Sequence, residues 1–334
     1  MIAGGVGLAT DEVSRHSARL IAIDRASDRI ALRAFSALPS LLRAGDVVVV
    51  NDAATLPGSL RGSTGDGATF ELRLSGPIEN DRLVGVVLGD GDWRTRTEDR
   101  AVPPRVIAGD AVAIAGIAAR VVFAGGRRIE LAVDVPADEL WRALYANGAP
   151  VQYAYRREPL PLYAVQTAYA SRPWAAEMPS AGRPLTWSVM LDLRRSGIEI
   201  ATVTHAAGLS STGDVALDRA LPWPERYDVP LRTSESIARA RDSGGRIVAI
   251  GTSVVRALES SGGEAGPGVA TLRLGVRYAS RVVDGVVSGL HVPGESHFEL
   301  LRAFAPRDRL DRALALAAVH GLSGHELGDA CLIL

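Results

Sequence analysis

The stretch Gly244-Gly-Arg-Ile-Val-Ala-Ile-Gly-Thr-Ser-Val-Val-Arg-Ala-Leu-Glu-Ser260 sets an apolar run, Ile247 to Ile250, against a break at Gly251. Two hydroxyl residues follow, then a helical pattern carrying Arg256 and Glu259. This reads as a strand ending in a tight turn at a helix N-terminus. Free backbone N–H groups there, with the Thr252 and Ser253 hydroxyls, can hold a polar or anionic ligand group. The same residues suit an ordinary βα connection with a Thr/Ser cap. Arg256 and Glu259 fall one turn apart on one helical face and can pair with each other. The turn lacks the second glycine of a nucleophile elbow, which argues against a serine hydrolase.

Outward from this unit the pattern alternates. Thr186 to Ser196 predicts a helix, Ile198 to Thr204 a strand, and Thr233 to Ser243 a helix capped by Thr233 or Ser234. Strands are expected near Val269 to Leu274 and Val282 to Leu290, then helices from Ser296 to Phe304 and Arg307 to His320. Towards the N-terminus, Arg19 to Asp24 reads as a strand and Phe35 to Leu42 as a short helix. Val47 to Val50 is a continuous apolar run suited to a strand covered on both faces. Between Arg61 and about Val133 the character changes to short apolar runs separated by turn clusters such as Gly89-Asp-Gly-Asp92 and Gly125-Gly126, the signature of a small antiparallel barrel or sandwich. The expected architecture is α/β: a large mixed, barrel-like α/β domain built from residues 1–60 and 150–334, with residues 61–149 an inserted small antiparallel β-barrel.

Composition narrows the function classes. The 334 residues are 47% apolar and 22% charged, ordinary for a globular protein, and the net charge of −1 provides no global field for nucleic acid. All 37 basic residues are Arg, so a Schiff-base or general-base lysine is excluded. Cys331 is the single cysteine, which rules out internal disulfides and multi-cysteine zinc sites. The scattered His residues suggest no metal site. The N-terminal residues from Met1 are too short and uncharged for a signal peptide, and no apolar run reaches membrane-spanning length, so a cytoplasmic protein without membrane contact is expected.

Several strand ends carry polar turns. Asn51-Asp52 closes the Val strand, where α/β proteins place ligands, although an Asx turn explains the pair equally well. Met178-Pro-Ser-Ala-Gly-Arg-Pro-Leu-Thr186 is a loop ahead of a helix, or a plain connector. His205 ends a strand before Gly208-Leu-Ser-Ser-Thr212 and is either structural or a general acid/base. His291 lies in the turn Gly289-Leu-His-Val-Pro-Gly-Glu295. Parallel sheets gather such turns along one edge, so these segments are expected to converge on one cleft. No Gly-x-Gly-x-x-Gly fingerprint follows a strand, which leaves a dinucleotide enzyme poorly supported.

Gly251-Thr-Ser-Val-Val-Arg-Ala-Leu-Glu-Ser260 closely resembles a signature of the S-adenosylmethionine:tRNA ribosyltransferase-isomerases of queuosine biosynthesis. The resemblance continues in order along nearly the whole chain. Its blocks are Leu41 to Asp52, Leu56-Pro-Gly-Ser-Leu60, Val165-Gln-Thr-Ala-Tyr-Ala170, Pro179-Ser-Ala-Gly182, Arg281-Val-Val-Asp284, Leu290-His-Val-Pro293 and Leu327 to Leu334. It implies a large α/β domain with an inserted barrel and S-adenosylmethionine as co-substrate, with no metal. The implied reaction moves the ribosyl part of S-adenosylmethionine onto 7-aminomethyl-7-deazaguanine in tRNA, releasing adenine and methionine.

On this reading His205 or Asp52 is the acid/base. Asn51, Pro179, Ala181, Gly182, Gly251, Thr252, Ser253, Arg256, Glu259 and His291 hold the nucleoside or methionine part. For tRNA, Arg156 and Arg157 with Tyr153 and Tyr155 form a candidate stacking and phosphate surface. The chain is expected to be a monomer. It departs from the family pattern at Ala53-Ala54, where Thr and Arg are usual, and at Gly182-Arg-Pro-Leu-Thr186, which lacks the family's His. It departs again at Gly208-Leu-Ser-Ser-Thr212 and at Pro222-Trp-Pro-Glu225. These changes keep open a paralogue acting on a small molecule and a non-catalytic nucleoside-binding relative.

Overall fold

The computed structural model describes residues 6–8, 14–324 and 327–334. Of the Met1 to Gly7 stretch read for a signal peptide, residues 1–5 lie outside them. In chain order the first elements are β1 (Gly7–Leu8), β2 (Arg19–Asp24), β3 (Arg29–Ala34), α1 (Leu38–Leu41), β4 (Val47–Asn51) and β5 (Ala53–Thr55). Next come β6 (Ser59–Thr64), β7 (Thr69–Leu74), β8 (Arg82–Leu88), β9 (Ala111–Ile114), β10 (Ile117–Gly125), β11 (Arg128–Val133) and α2 (Ala137–Asn147). The chain continues through β12 (Arg172–Ala175), α3 (Trp187–Arg195), β13 (Glu199–His205), α4 (Val215–Arg219), β14 (Glu225–Val229) and α5 (Leu231–Asp242). It ends with β15 (Ile247–Ile250), α6 (Thr252–Ser261), β16 (Gly266–Ala270), β17 (Gly285–Gly289), α7 (Ser296–Leu301), α8 (Arg307–Val319), β18 (Ser323–Gly324) and β19 (Ala330–Ile333).

Strands β6 to β11 close into a six-stranded antiparallel barrel in the order β10-β11-β8-β7-β6-β9. Alternation explains the closure. Leu60, Leu72, Ile114, Val121, Ile129 and Leu131 point inward and are buried. The N–H groups of Ser59 and Ala149 each donate to the other's carbonyl, at 2.8 and 3.0 Å, so the chain enters and leaves the barrel at one place.

The remaining chain builds an open nine-stranded mixed sheet, β16-β14-β13-β4-β15-β17-β19-β2-β3. β4 sits at its centre, parallel to β13 on one side and β15 on the other. Val47 and Val49 pack on one face with residues of α5 to α8, while Val48 and Val50 pack on the other with α1 and α3. Burial on both faces is what an unbroken Val run without alternation requires. One expectation shifts: α5 begins at Leu231 after Pro230 with no side-chain cap, and the Thr233 hydroxyl donates instead to the Thr202 carbonyl at 2.6 Å. Proline at the N-cap, with its fixed φ and missing N–H, already starts the helix.

Candidate active site

β4, β13, β15 and β17 run parallel, so their C-terminal ends share the sheet edge where open α/β folds bind ligands. Asn51 ties that edge together. Its Nδ2 donates to the His205 carbonyl at 2.9 Å, and its Oδ1 accepts from the N–H groups of His205 at 2.9 Å and Ala53 at 3.1 Å. Nδ2 also reaches Ser253 Oγ at 3.4 Å, joining the start of α6 to the strand ends.

Gly251 has φ 101°, a backbone conformation that favours glycine, and its N–H donates to the Val287 carbonyl at 2.7 Å. It is itself the N-cap of α6 with no side-chain cap, so the Thr252 and Ser253 hydroxyls are not spent on capping. A Cβ placed on Gly251 would stand 3.6 Å from Ala181 Cβ, so the Pro179 to Gly182 loop lies against this turn.

On the face covered by α6, His205 is only 1% exposed and neither ring nitrogen has a hydrogen bond among the described residues. Nε2 lies 3.4 Å from Glu225 Oε2. Glu225 also accepts from the Gly208 N–H at 2.6 Å and forms an ion pair with Arg256. Arg256 donates further to the carbonyls of Ala270 at 2.9 Å, Trp223 at 3.2 Å and Leu272 at 3.3 Å. Burial, helped by the Arg256 charge, brings His205 down to about 3, so the imidazole is neutral at physiological pH. Burial, with Arg273, lowers Arg256 to about 10 and leaves it charged.

Asp52 turns toward the opposite face. Thr204 Oγ1 donates to its carboxylate at 2.6 Å, yet burial raises the carboxyl above the usual range, opposed in part by Thr204, Arg172 and Arg232. Tyr169 lies alongside, its phenol pushed up by burial and by the Asp52 charge. The Tyr169 hydroxyl fills the space that a side chain on Gly182 would occupy. Thr167 Oγ1, buried in the same region, has no hydrogen-bond partner among the described residues.

Asn51, Asp52, Ala181, Gly182, His205, Gly251, Ser253 and Arg256 are thus gathered around one sheet edge. Glu259 and His291 are engaged elsewhere. The Glu259 carboxylate accepts from the N–H groups of Arg281, Val282 and Val283 at 2.9–3.0 Å and from the hydroxyls of Tyr278 at 2.9 Å and Ser280 at 2.7 Å, anchoring that loop. His291 Nδ1 lies 3.2 Å from Glu295 Oε2 and its ring stacks on His297 at 4.6 Å. It lines a small apolar crevice with Phe298, Leu310 and Cys331, on the face covered by α8.

In the Tyr153 to Arg157 segment Tyr153 is half-buried, donates to Glu177 and lies under Arg73 of the barrel, and Arg156 is buried, while Arg157 is exposed. Glu177, also accepting from the Ser210 N–H at 2.7 Å, is raised by burial, and so is Tyr153. Sequence reasoning missed Glu225, Tyr169 and Thr204 as site neighbours. Glu225 is placed by antiparallel pairing of β14 with β13, His205 opposite Tyr227, a register that no local motif announces.

The family described as Queuosine biosynthesis protein matches residues 9–333. The chain belongs to this family. It is 33% identical over 332 residues to the S-adenosylmethionine:tRNA ribosyltransferase-isomerase of Anaeromyxobacter dehalogenans, covering 96% of this chain and 93% of that protein. The same coverage holds for the enzyme of that name from Thermus thermophilus, at 31% identity. The crystal structure of an S-adenosylmethionine tRNA ribosyltransferase from Thermotoga maritima has the same fold, with TM-score 0.54 and 23% identity over 98% of this chain and 96% of that one.

The departures from the family pattern now have places. Ala53 pairs in β5 with Arg172 of β12, Leu185 is buried in the core beneath α3, and Ser210 is held by Glu177. Among the described residues no helix is long and apolar enough to cross a membrane.

Proposed function

We propose that this chain transfers and isomerises the ribosyl moiety of S-adenosylmethionine onto 7-aminomethyl-7-deazaguanine in tRNA, releasing adenine and methionine. The supporting observation is family membership along residues 9–333, with relatives of that activity matched over 96% of the chain. Residues 1–60 and 150–334 carry the site. Residues 61–149, whose ends meet where Ser59 and Ala149 pair, form the inserted barrel.

The sulfonium of S-adenosylmethionine acidifies the adjacent 5′-carbon. Asp52, half-buried at the sheet edge with a raised carboxyl, takes that proton to give the ylide. The ylide pair then forms a C4′–C5′ double bond as C4′–O4′ breaks, O4′ becomes a carbonyl at C1′, and adenine leaves with the C1′–N bonding pair. The acceptor amine adds to C4′ and gives up a proton, the carbanion restored at C5′ bonds to C1′, and the alkoxide formed there displaces methionine from C5′ as a neutral thioether, closing an epoxide. Neutral His205, buried beneath α6 beside the Glu225–Arg256 ion pair, positions the end of β13 at the ligand. The Gly251 turn, with Thr252 and Ser253, receives the methionine carboxylate at the α6 N-terminus.

The test incubates pure protein with S-adenosylmethionine, with and without tRNA carrying the deazaguanine, and follows free adenine and deuterium exchange at the 5′-carbon. Asp52→Asn is expected to lower both by about 10²-fold or more. Absence of adenine release with tRNA present defeats the reading.

A small-molecule acceptor is the second reading, favoured by the burial of Arg156 and by the engagement of Tyr153 with Glu177 and Arg73. Adenine release that requires a free deazaguanine base and ignores tRNA would select it.

A further inference from the structure

A groove runs along β13 beside the candidate site. Along β13, β14 pairs only with Thr204 and His205, so among the described residues Glu199 to Val203 have β4 on one side and no paired strand on the other. α3 and α5 wall this edge, leaving a cavity of about 330 Å³, within the range of small-ligand pockets. Trp187, Leu191 and Arg194 stand at i, i+4 and i+7 on α3 and all line it. Trp187 is 64% and Leu191 48% exposed, an apolar stripe on the side of the helix away from its buried Val189 and Leu193.

The charges in the groove are one-sided. The Arg194 guanidinium has no ion-pair or hydrogen-bond partner among the described residues, and Arg232 donates only to Thr202 Oγ1, at 3.4 Å. Glu199, the groove's carboxylate, is taken by Ser236 at 2.5 Å and Arg239 at 3.2 Å. The groove reaches the reacting centre through Tyr169, which lines it and packs against Gly182, and through Arg232, whose charge acts on Asp52.

An exposed indole over an apolar floor, flanked by two guanidinium groups that no carboxylate bonds among the described residues, complements a base and its phosphate. A second copy docking through the same patch would bring these cations against each other, since a two-fold interface matches a surface with itself. We propose that this groove is a nucleotide subsite for the acceptor RNA. A base neighbouring the reacting one stacks on Trp187, and the adjoining phosphate lies between Arg194 and Arg232. The inference rests on the tRNA reading above.

The test titrates labelled tRNA carrying the deazaguanine against wild type, Trp187→Ala and Arg194→Ala across a salt series, with S-adenosylmethionine affinity and adenine release measured in parallel. Both side chains are exposed, so the variants are expected to fold, and thermal melts check this. Trp187→Ala is expected to weaken RNA binding by about tenfold. Arg194→Ala is expected to reduce the slope of log affinity against log salt by about 0.7, one phosphate contact on a single strand. S-adenosylmethionine affinity stays unchanged in both.

If wild type binds the RNA and releases adenine while both variants match it in affinity and slope, the groove assignment is overturned and the activity stands. A wild type that neither binds the RNA nor releases adenine overturns the tRNA reading and the subsite together. A concentration-dependent dimer dissolved by Trp187→Ala, with RNA affinity unchanged, also overturns the subsite and makes the groove a self-association surface.

Discussion

Replacing Asn51 by Ala tests whether one side chain holds the candidate site together. Asn51 is 1% exposed and makes three buried bonds of 3.1 Å or less, two to the backbone of His205 and one to that of Ala53. Each such bond contributes about 1 kcal/mol net, and each buried backbone group left unpaired costs about 1–3 kcal/mol. Water entering the vacated space offsets part of the penalty, so Asn51→Ala is expected to lose about 3–5 kcal/mol in urea unfolding followed by circular dichroism. Asn51→Asp separates the contributions: it keeps the acceptor for the two N–H groups but faces the His205 carbonyl with a charge. Its deficit relative to wild type is expected to narrow as pH falls and the protonated carboxyl can donate to that carbonyl. In both variants S-adenosylmethionine affinity falls, because His205 and Ser253 lose their common tether. A loss below about 1 kcal/mol for Asn51→Ala would refute the tether, since even one of the three bonds accounts for that much.

Three further outcomes are expected. His205 is held at about 3 against an ordinary 6.5, so the native ring stays neutral while the unfolded chain gains a proton below 6.5. Stability is therefore complete above pH 6.5 and falls by up to about 1.4 kcal/mol per unit down towards pH 3, and parallel wild-type and His205→Gln stability curves between pH 7 and 5 would contradict this. Gly182→Ala is expected to destabilise by about 1–3 kcal/mol, because its Cβ collides with the Tyr169 hydroxyl, and Tyr169→Phe in the same chain should restore part of it; additive losses in the double-mutant cycle would count against the contact. Glu259→Ala is expected to cost about 2–3 kcal/mol through the released 278–283 loop while S-adenosylmethionine affinity by calorimetry stays unchanged, and a large affinity loss without destabilisation would return Glu259 to the ligand shell.

The sequence by itself determined the layers, the barrel and the family. Val47 to Val50 announced a strand covered twice, the short runs after Arg61 announced antiparallel strands, and Gly251-Thr-Ser253 announced a strand-to-helix turn. Each of these is local: hydrophobic period, turn chemistry and φ preference act within a few residues. What only the tertiary structure decided is which side chains meet. Adjacent strand residues point to opposite faces, so Asn51 ties His205 to Ser253 while Asp52 turns to Thr204 and Tyr169. Glu225 joins His205 and Arg256 only because β14 folds back antiparallel on the end of β13. Glu259, one helical turn from Arg256, is spent on the 278–283 loop, and Tyr153 lies half-buried beneath the barrel's Arg73. Partnerships across tens to hundreds of residues depend on strand register and burial, and those are set by packing the whole sheet rather than by any short stretch of chain.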